Sequence, residues 1–101
     1  MSNEIWTVAV DEDIVDLAER FLNHRLEQVQ HWREALAVRN IEVLRRLGHD
    51  LKGTAGAFGF QAVSDLASEL EKALVRGDLV EAEDTLERLI DYLDRTAVVP
   101  G

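Results

Sequence analysis

Apolar side chains return every three or four residues along most of this chain, with charged residues between the returns. Val15, Ala18, Leu22, Leu26, Val29, Trp32 and Leu36 fall on one face of a first long helix, capped by Asp11 or Asp13 and running to about Arg39. Ile14, Leu17 and Phe21 widen that stripe near its start, so more than one neighbour packs there. A second helix begins after Asn40, carries Ile41, Leu44, Leu47, Leu51, Ala55 and Phe58, and stops at Gly59. The third spans about Gln61 to Arg76, with Val63, Leu66, Ala67, Leu70, Ala73 and Leu74, and ends at Gly77. Asp78 and Glu81 form a capping-box-like start for the fourth, whose stripe is Leu79, Ala82, Leu86, Leu89, Ile90 and Leu93. Order is expected to fade near Thr96. Residues 1–10, with Ile5, Trp6, Val8 and Val10 apolar, read as a short N-terminal arm or brief helix against the body. The pattern predicts an all-α fold: one domain over 1–101, an antiparallel four-helix bundle over about 11–96 with a short N-terminal arm or helix.

Composition agrees. Leucine, alanine, glutamate and arginine dominate, and the single proline is Pro100. The 101 residues suffice for one core without staples. With no cysteine there is no disulfide framework, thiolate zinc site or cysteine nucleophile, which fits a reducing cytoplasm. A net charge of −9 argues against nucleic acid, which demands a basic stripe, and fits a self-repelling, monomeric domain. No apolar run approaches the roughly 20 residues of a membrane span, and the start Met1-Ser2-Asn3-Glu4-Ile5-Trp6 lacks the marks of a signal peptide. The expected location is cytoplasmic.

One stretch departs from the helical pattern. His49-Asp50-Leu51-Lys52-Gly53-Thr54-Ala55-Gly56-Ala57-Phe58-Gly59-Phe60 sets a histidine and a lysine among glycines. Gly48, Gly53 and Gly56 together cost roughly 3 kcal/mol of helix propensity, a sizeable share of a domain stability of about 5–15 kcal/mol. At about 100° per residue, His49 points about 150° away from the centre of the apolar stripe, towards solvent. Gly53 is its neighbour one turn on, Lys52 flanks it, Gly56 keeps the same surface low, and Arg45 stands one turn before. Gly48 lies near the core side, where a missing side chain lets helices approach. Gly53 faces outward, where packing does not explain it; it clears space for a group or partner reaching the imidazole. A solvent-facing imidazole is substantially neutral and nucleophilic near neutral pH, and nearby cations would compensate an acquired phosphoryl charge. No phosphate-cradling loop accompanies it, so the site could carry a phosphoryl group without drawing one from a nucleotide.

These residues resemble the histidine-containing phosphotransfer (HPt) domains of multistep two-component relays, and also the N-terminal phosphoacceptor domain of chemotaxis histidine kinases. Both carry His-x-hydrophobic-Lys-Gly, then small residues and a second glycine, matched by His49-Asp50-Leu51-Lys52-Gly53 and Gly59 without departure. The resemblance covers essentially the whole chain. It implies a non-enzymatic carrier phosphorylated on His49 through Nε2, with Lys52 near the phosphoryl oxygens and Gly53 keeping the approach open. The implied partners are a histidine kinase or hybrid kinase and a response-regulator receiver domain. The receiver would bring the aspartate and the Mg²⁺, so no cofactor is expected in this chain.

Arg45, Gly56 and Phe60 are the expected partner-facing residues, with apolar residues near the start of helix one as a further docking patch. His24 and His31, seven apart with Glu27 between, are too widely spaced for a metal site, and none is expected. An alternative function is the phosphoacceptor domain of a larger chemotaxis-type kinase, whose nucleotide-binding boxes are not in this sequence. The dimerisation domain of an ordinary histidine kinase fits less well: its histidine is followed by an acidic residue and a Thr-Pro or Ser-Pro kink, whereas proline is absent here before Pro100. A purely structural bundle would leave Gly53 unexplained.

Overall fold

The computed structural model describes residues 4–101; residues 1–3, where the expected arm begins, lie outside the described residues. The elements are β1 (Trp6–Val10), a 3-10 turn (Glu12–Ile14), α1 (Val15–Glu27), α2 (Val29–Ala37), α3 (Ile41–Ala57), α4 (Gln61–Arg76), α5 (Leu79–Asp94) and β2 (Thr96–Pro100). The helices pack on one another. Their shared core holds Ala18, Leu22, Trp32, Leu44, Leu51, Leu70, Leu86 and Leu89 among others, the residues that the helical stripes single out.

The helix ends follow local chemistry. Asp78 accepts a hydrogen bond from the Glu81 N–H at 3.0 Å, and Asn40 a longer one from Val43 at 3.5 Å. At the C-terminus of α3, Phe60 N–H bonds to the Ala55 carbonyl and Gly59 N–H to that of Gly56; Asp78 and Gly77 do the same at the end of α4. Gly59 and Gly77 take φ of 87° and 75°, the left-handed conformation this motif demands. Asn40 N–H to Ala35 and Arg39 N–H to Leu36 repeat the motif after α2, but there an arginine occupies the left-handed position, at φ 57°.

Three expectations are corrected. The long first helix is two helices, because Gln28 N–H bonds to the carbonyl three residues back, Arg25, at 3.0 Å and tightens the turn. Arg25 reaches Gln28 Oε1 at 3.2 Å across that break. Residues 6–10 form a strand rather than an arm or helix, and the chain continues past Thr96 as β2. The two strands pair in parallel, from Trp6 opposite Thr96 to Val10 opposite Pro100. Trp6, Val8 and Val10 recur with period two, which suits a strand with one face inward. Val10 is buried, Val8 half-buried, and Trp6 stacks on Tyr92 at 5.7 Å. The fold is therefore helical except for a two-stranded ribbon joining the first and last described segments.

Arg39→Gly should stabilise the protein. Left-handed backbone costs an L-residue about 1–2 kcal/mol, and glycine's added freedom when unfolded returns part of that. A net gain of about 0.5–1 kcal/mol in urea unfolding is expected.

Candidate functional site

The seam between α3 and α4 builds the surface around His49. A Cβ on Gly48 would stand 3.1 Å from the Ala67 carbonyl oxygen and 3.4 Å from Glu71 Cβ, so the bare backbone at 48 allows the two helices to close. One turn further, the largely buried Ser64 donates its hydroxyl to the Lys52 carbonyl at 2.7 Å. A Cβ on Gly56 would be in ordinary contact with that hydroxyl, at 3.8 Å. A Cβ on Gly53 would meet nothing within 4 Å. Gly48 is thus a packing position and Gly53 borders open space.

This closure brings Glu71 of α4 between the two chemical residues of α3. Its Oε1 accepts a hydrogen bond from Lys52 Nζ at 2.9 Å, and its Oε2 lies 3.5 Å from His49 Nδ1. The His49 side chain is 71% exposed and that of Glu71 24%, so the carboxylate is the better anchored member of the pair. The hydrogen bond from Lys52 holds the Glu71 carboxyl below its usual value; partial burial works against this, and the charges of Lys52 and His49 add to the lowering. With Nδ1 turned to a carboxylate, Nε2 on the far side of the ring is the nitrogen left to act as a nucleophile. Arg45, Arg46 and Glu42 complete a shallow depression of about 350 Å³ around His49 and Glu71.

A model of the Hpt domain family matches residues 16–98. The chain belongs to the Hpt domain family. Comparison with curated proteins and with solved structures returns no match. Hpt domains are phosphocarriers of two-component phosphorelays, not enzymes themselves, and interact with histidine kinases and receiver domains. No helix among the described residues is long and apolar enough to cross a membrane.

The structure gathers His49, Lys52, Gly53 and Arg45 on one exposed surface, and sets Gly56 at its margin on the α4 seam. Phe60 is a correction. It is 1% exposed and stacks on Phe21 at 5.7 Å, while Phe21 also stacks on Phe58 at 5.2 Å and carries the Arg25 guanidinium above its ring. Phe60 follows the end of α3, where helical phase no longer indicates direction, and it turns into the core. Of the apolar residues near the start of α1, Leu17 remains 52% exposed. Glu71 is the residue that sequence reasoning missed. Its only forward signal is position: it lies one turn after Ala67, the small residue against which Gly48 closes.

The lowered Glu71 value sets a pH dependence. Folding favours the ionised carboxylate, so its contribution is intact above the usual value of 4.5 and fades as pH falls through the folded-state value. Because the group is near the surface, the contribution is at most about 1 kcal/mol. Urea midpoints of wild type and Glu71→Gln should therefore differ at neutral pH and converge at acid pH, once the carboxyl is protonated in the folded protein as well.

Proposed function

We propose that the chain carries a phosphoryl group on His49, accepting it from and passing it to aspartates of response-regulator receiver domains, with a histidine kinase or hybrid kinase at the head of the relay. The observation that carries this reading is an exposed imidazole with Nδ1 held towards Glu71, standing beside the open position at Gly53. In the transfer, the Nε2 lone pair attacks phosphorus in line; the N–P bond forms as the bond from phosphorus to the aspartyl oxygen breaks, and the aspartate leaves as carboxylate. The ring keeps its Nδ1 proton, and the positive charge it gains is met by Glu71. Lys52 and Arg45 are the cations available to the phosphoryl oxygens. We assign the Mg²⁺ that such a transfer uses to the receiver, beside its aspartate.

The same reading takes α1 and α2 together as one arm, with α3, α4 and α5 as the others, of an antiparallel four-helix bundle, in keeping with the short connections 38–40, 58–60 and 77–78. It takes the chain as one domain that acts as a cytoplasmic monomer, in keeping with its −9 charge.

Incubation with a phosphorylated receiver domain tests the assignment. Acid-labile label should appear on the wild type and be lost in His49→Gln, with the helical circular dichroism unchanged; label that persists removes His49 from the role. Gly53→Leu separates access from folding. A Cβ at this exposed position meets nothing within 4 Å and leucine improves helix propensity by about 0.5–1 kcal/mol, so stability should hold or rise. Transfer from the receiver should nevertheless slow by at least about tenfold, as expected if about 1.4 kcal/mol of docking is lost.

A further inference from the structure

The two strands of the terminal ribbon present very different outer edges. Trp6 N–H bonds to the Arg95 carbonyl at 2.8 Å and Gly101 N–H to that of Val10 at 3.0 Å. In a strand, successive peptide groups face opposite sides, so with this register Trp6, Val8 and Val10 address β2. Thr7 and Ala9 turn their N–H and C=O groups outward, and both residues are exposed. The outer edge of β2 is closed by contrast: Thr96 is 9% exposed, Pro100 has no N–H to offer, and the strand packs against α1. An open strand edge is a template for another strand, and this one lacks the lysine, proline or bulge that usually blunts such edges. None of its residues lines the depression at His49.

We infer that the free edge of β1 takes an extended segment of a partner protein as a third strand, uncharged and β-branched where it pairs, with Lys or Arg at the end that meets Asp11, Glu12 and Asp13. Those three acids are exposed and directly follow the strand, so the template is uncharged from Ile5 to Val10 and then strongly negative. Main-chain hydrogen bonds to Thr7 and Ala9 supply affinity; the acidic run sets direction and selects basic flanks. An antiparallel segment places its N-terminal end at the acids. A second copy of this chain fits poorly. Antiparallel self-pairing about Thr7 would set Glu4 of one copy opposite Val10 of the other and beside its Asp11, between bodies that each carry −9.

The test uses the full chain and a capped synthetic peptide, acetyl-Lys-Lys-Thr-Val-Thr-Val-Thr-amide, followed by amide NMR and hydrogen exchange. On addition, the Thr7 and Ala9 amides should shift and exchange at least about tenfold more slowly, while Val8 and Val10, already in the ladder, change little. Thr7→Pro removes one outward N–H and leaves the ladder to β2 intact; it should weaken the peptide at least about tenfold with helical content and His49 labelling unchanged. Replacing the two lysines of the peptide by glutamates should weaken binding comparably. The proposal fails if Thr7 and Ala9 stay unprotected at the highest soluble peptide concentration, if Thr7→Pro binds like wild type, or if the glutamate peptide binds as well. It fails too if those amides become protected without peptide as a dimer forms in sedimentation, since the edge would then belong to a second copy.

Discussion

Contact between α3 and α4 governs what His49 can do. The bare backbone at Gly48 lets the Ala67 carbonyl and Glu71 Cβ approach to distances that a side chain there would contest. Ser64 then ties the helices by donating to the Lys52 carbonyl, a bond shielded from water and so more constraining than an exposed one. Only with the helices this close can a glutamate of α4 reach both Nζ of Lys52 and Nδ1 of His49. Glycine's helix penalty of about 1 kcal/mol at position 48 is offset by this packing. At Gly53 a Cβ would meet no neighbour, and on the reading proposed above that open space serves an approaching partner.

In the resting arrangement Lys52 is already engaged. Its ammonium sits at 2.9 Å from Glu71, so it is not waiting alone for an anion. An exposed ion pair of this kind is worth little and exchanges partners readily. On the reading proposed above, a phosphoryl group bearing about −1.5 to −2 charges would compete for Lys52 directly. Glu71 would then be left facing an imidazole whose positive charge has grown. The triad can thus redistribute its hydrogen bonds without moving a helix, which suits a carrier that must both accept and release its load.

What the sequence made legible was local. Asn40, Gly59, Gly77 and Asp78 mark helix ends because capping involves only residues within one turn, and α4 runs over the expected span. His49, Lys52 and Gly53 could be placed on one surface because a helix has a fixed period. The break at Gln28 carried no proline or glycine and arises where the backbone N–H groups of the turn fold back onto the Arg25 and Leu26 carbonyls. Phe60 lay past the end of the periodic stretch, so its direction depended on Phe21, far away in sequence. Glu71 demanded knowledge of which α4 residue meets which α3 residue, and a stripe of apolar positions gives the face of a helix but not its height against a neighbour.

The ribbon was hidden for the same reason in a stronger form. A two-stranded parallel pair is marginal alone, and its partners here are separated by the entire helical body. Neither Trp6–Val10 nor Thr96–Pro100 could be recognised as paired from its own residues, since each strand exists because the other is brought alongside. The helices do this by delivering the end of α5 next to Trp6, where Tyr92 stacks on the indole and the Arg95 carbonyl accepts the Trp6 N–H. From that bond the register runs residue by residue to Gly101. Helix packing already holds these chain ends together, so the ribbon adds its own small gain without a further loop-closure cost. The outer edge of β1 also lies away from the depression at His49, so on the two readings proposed above a strand added there would leave the phosphoryl site untouched.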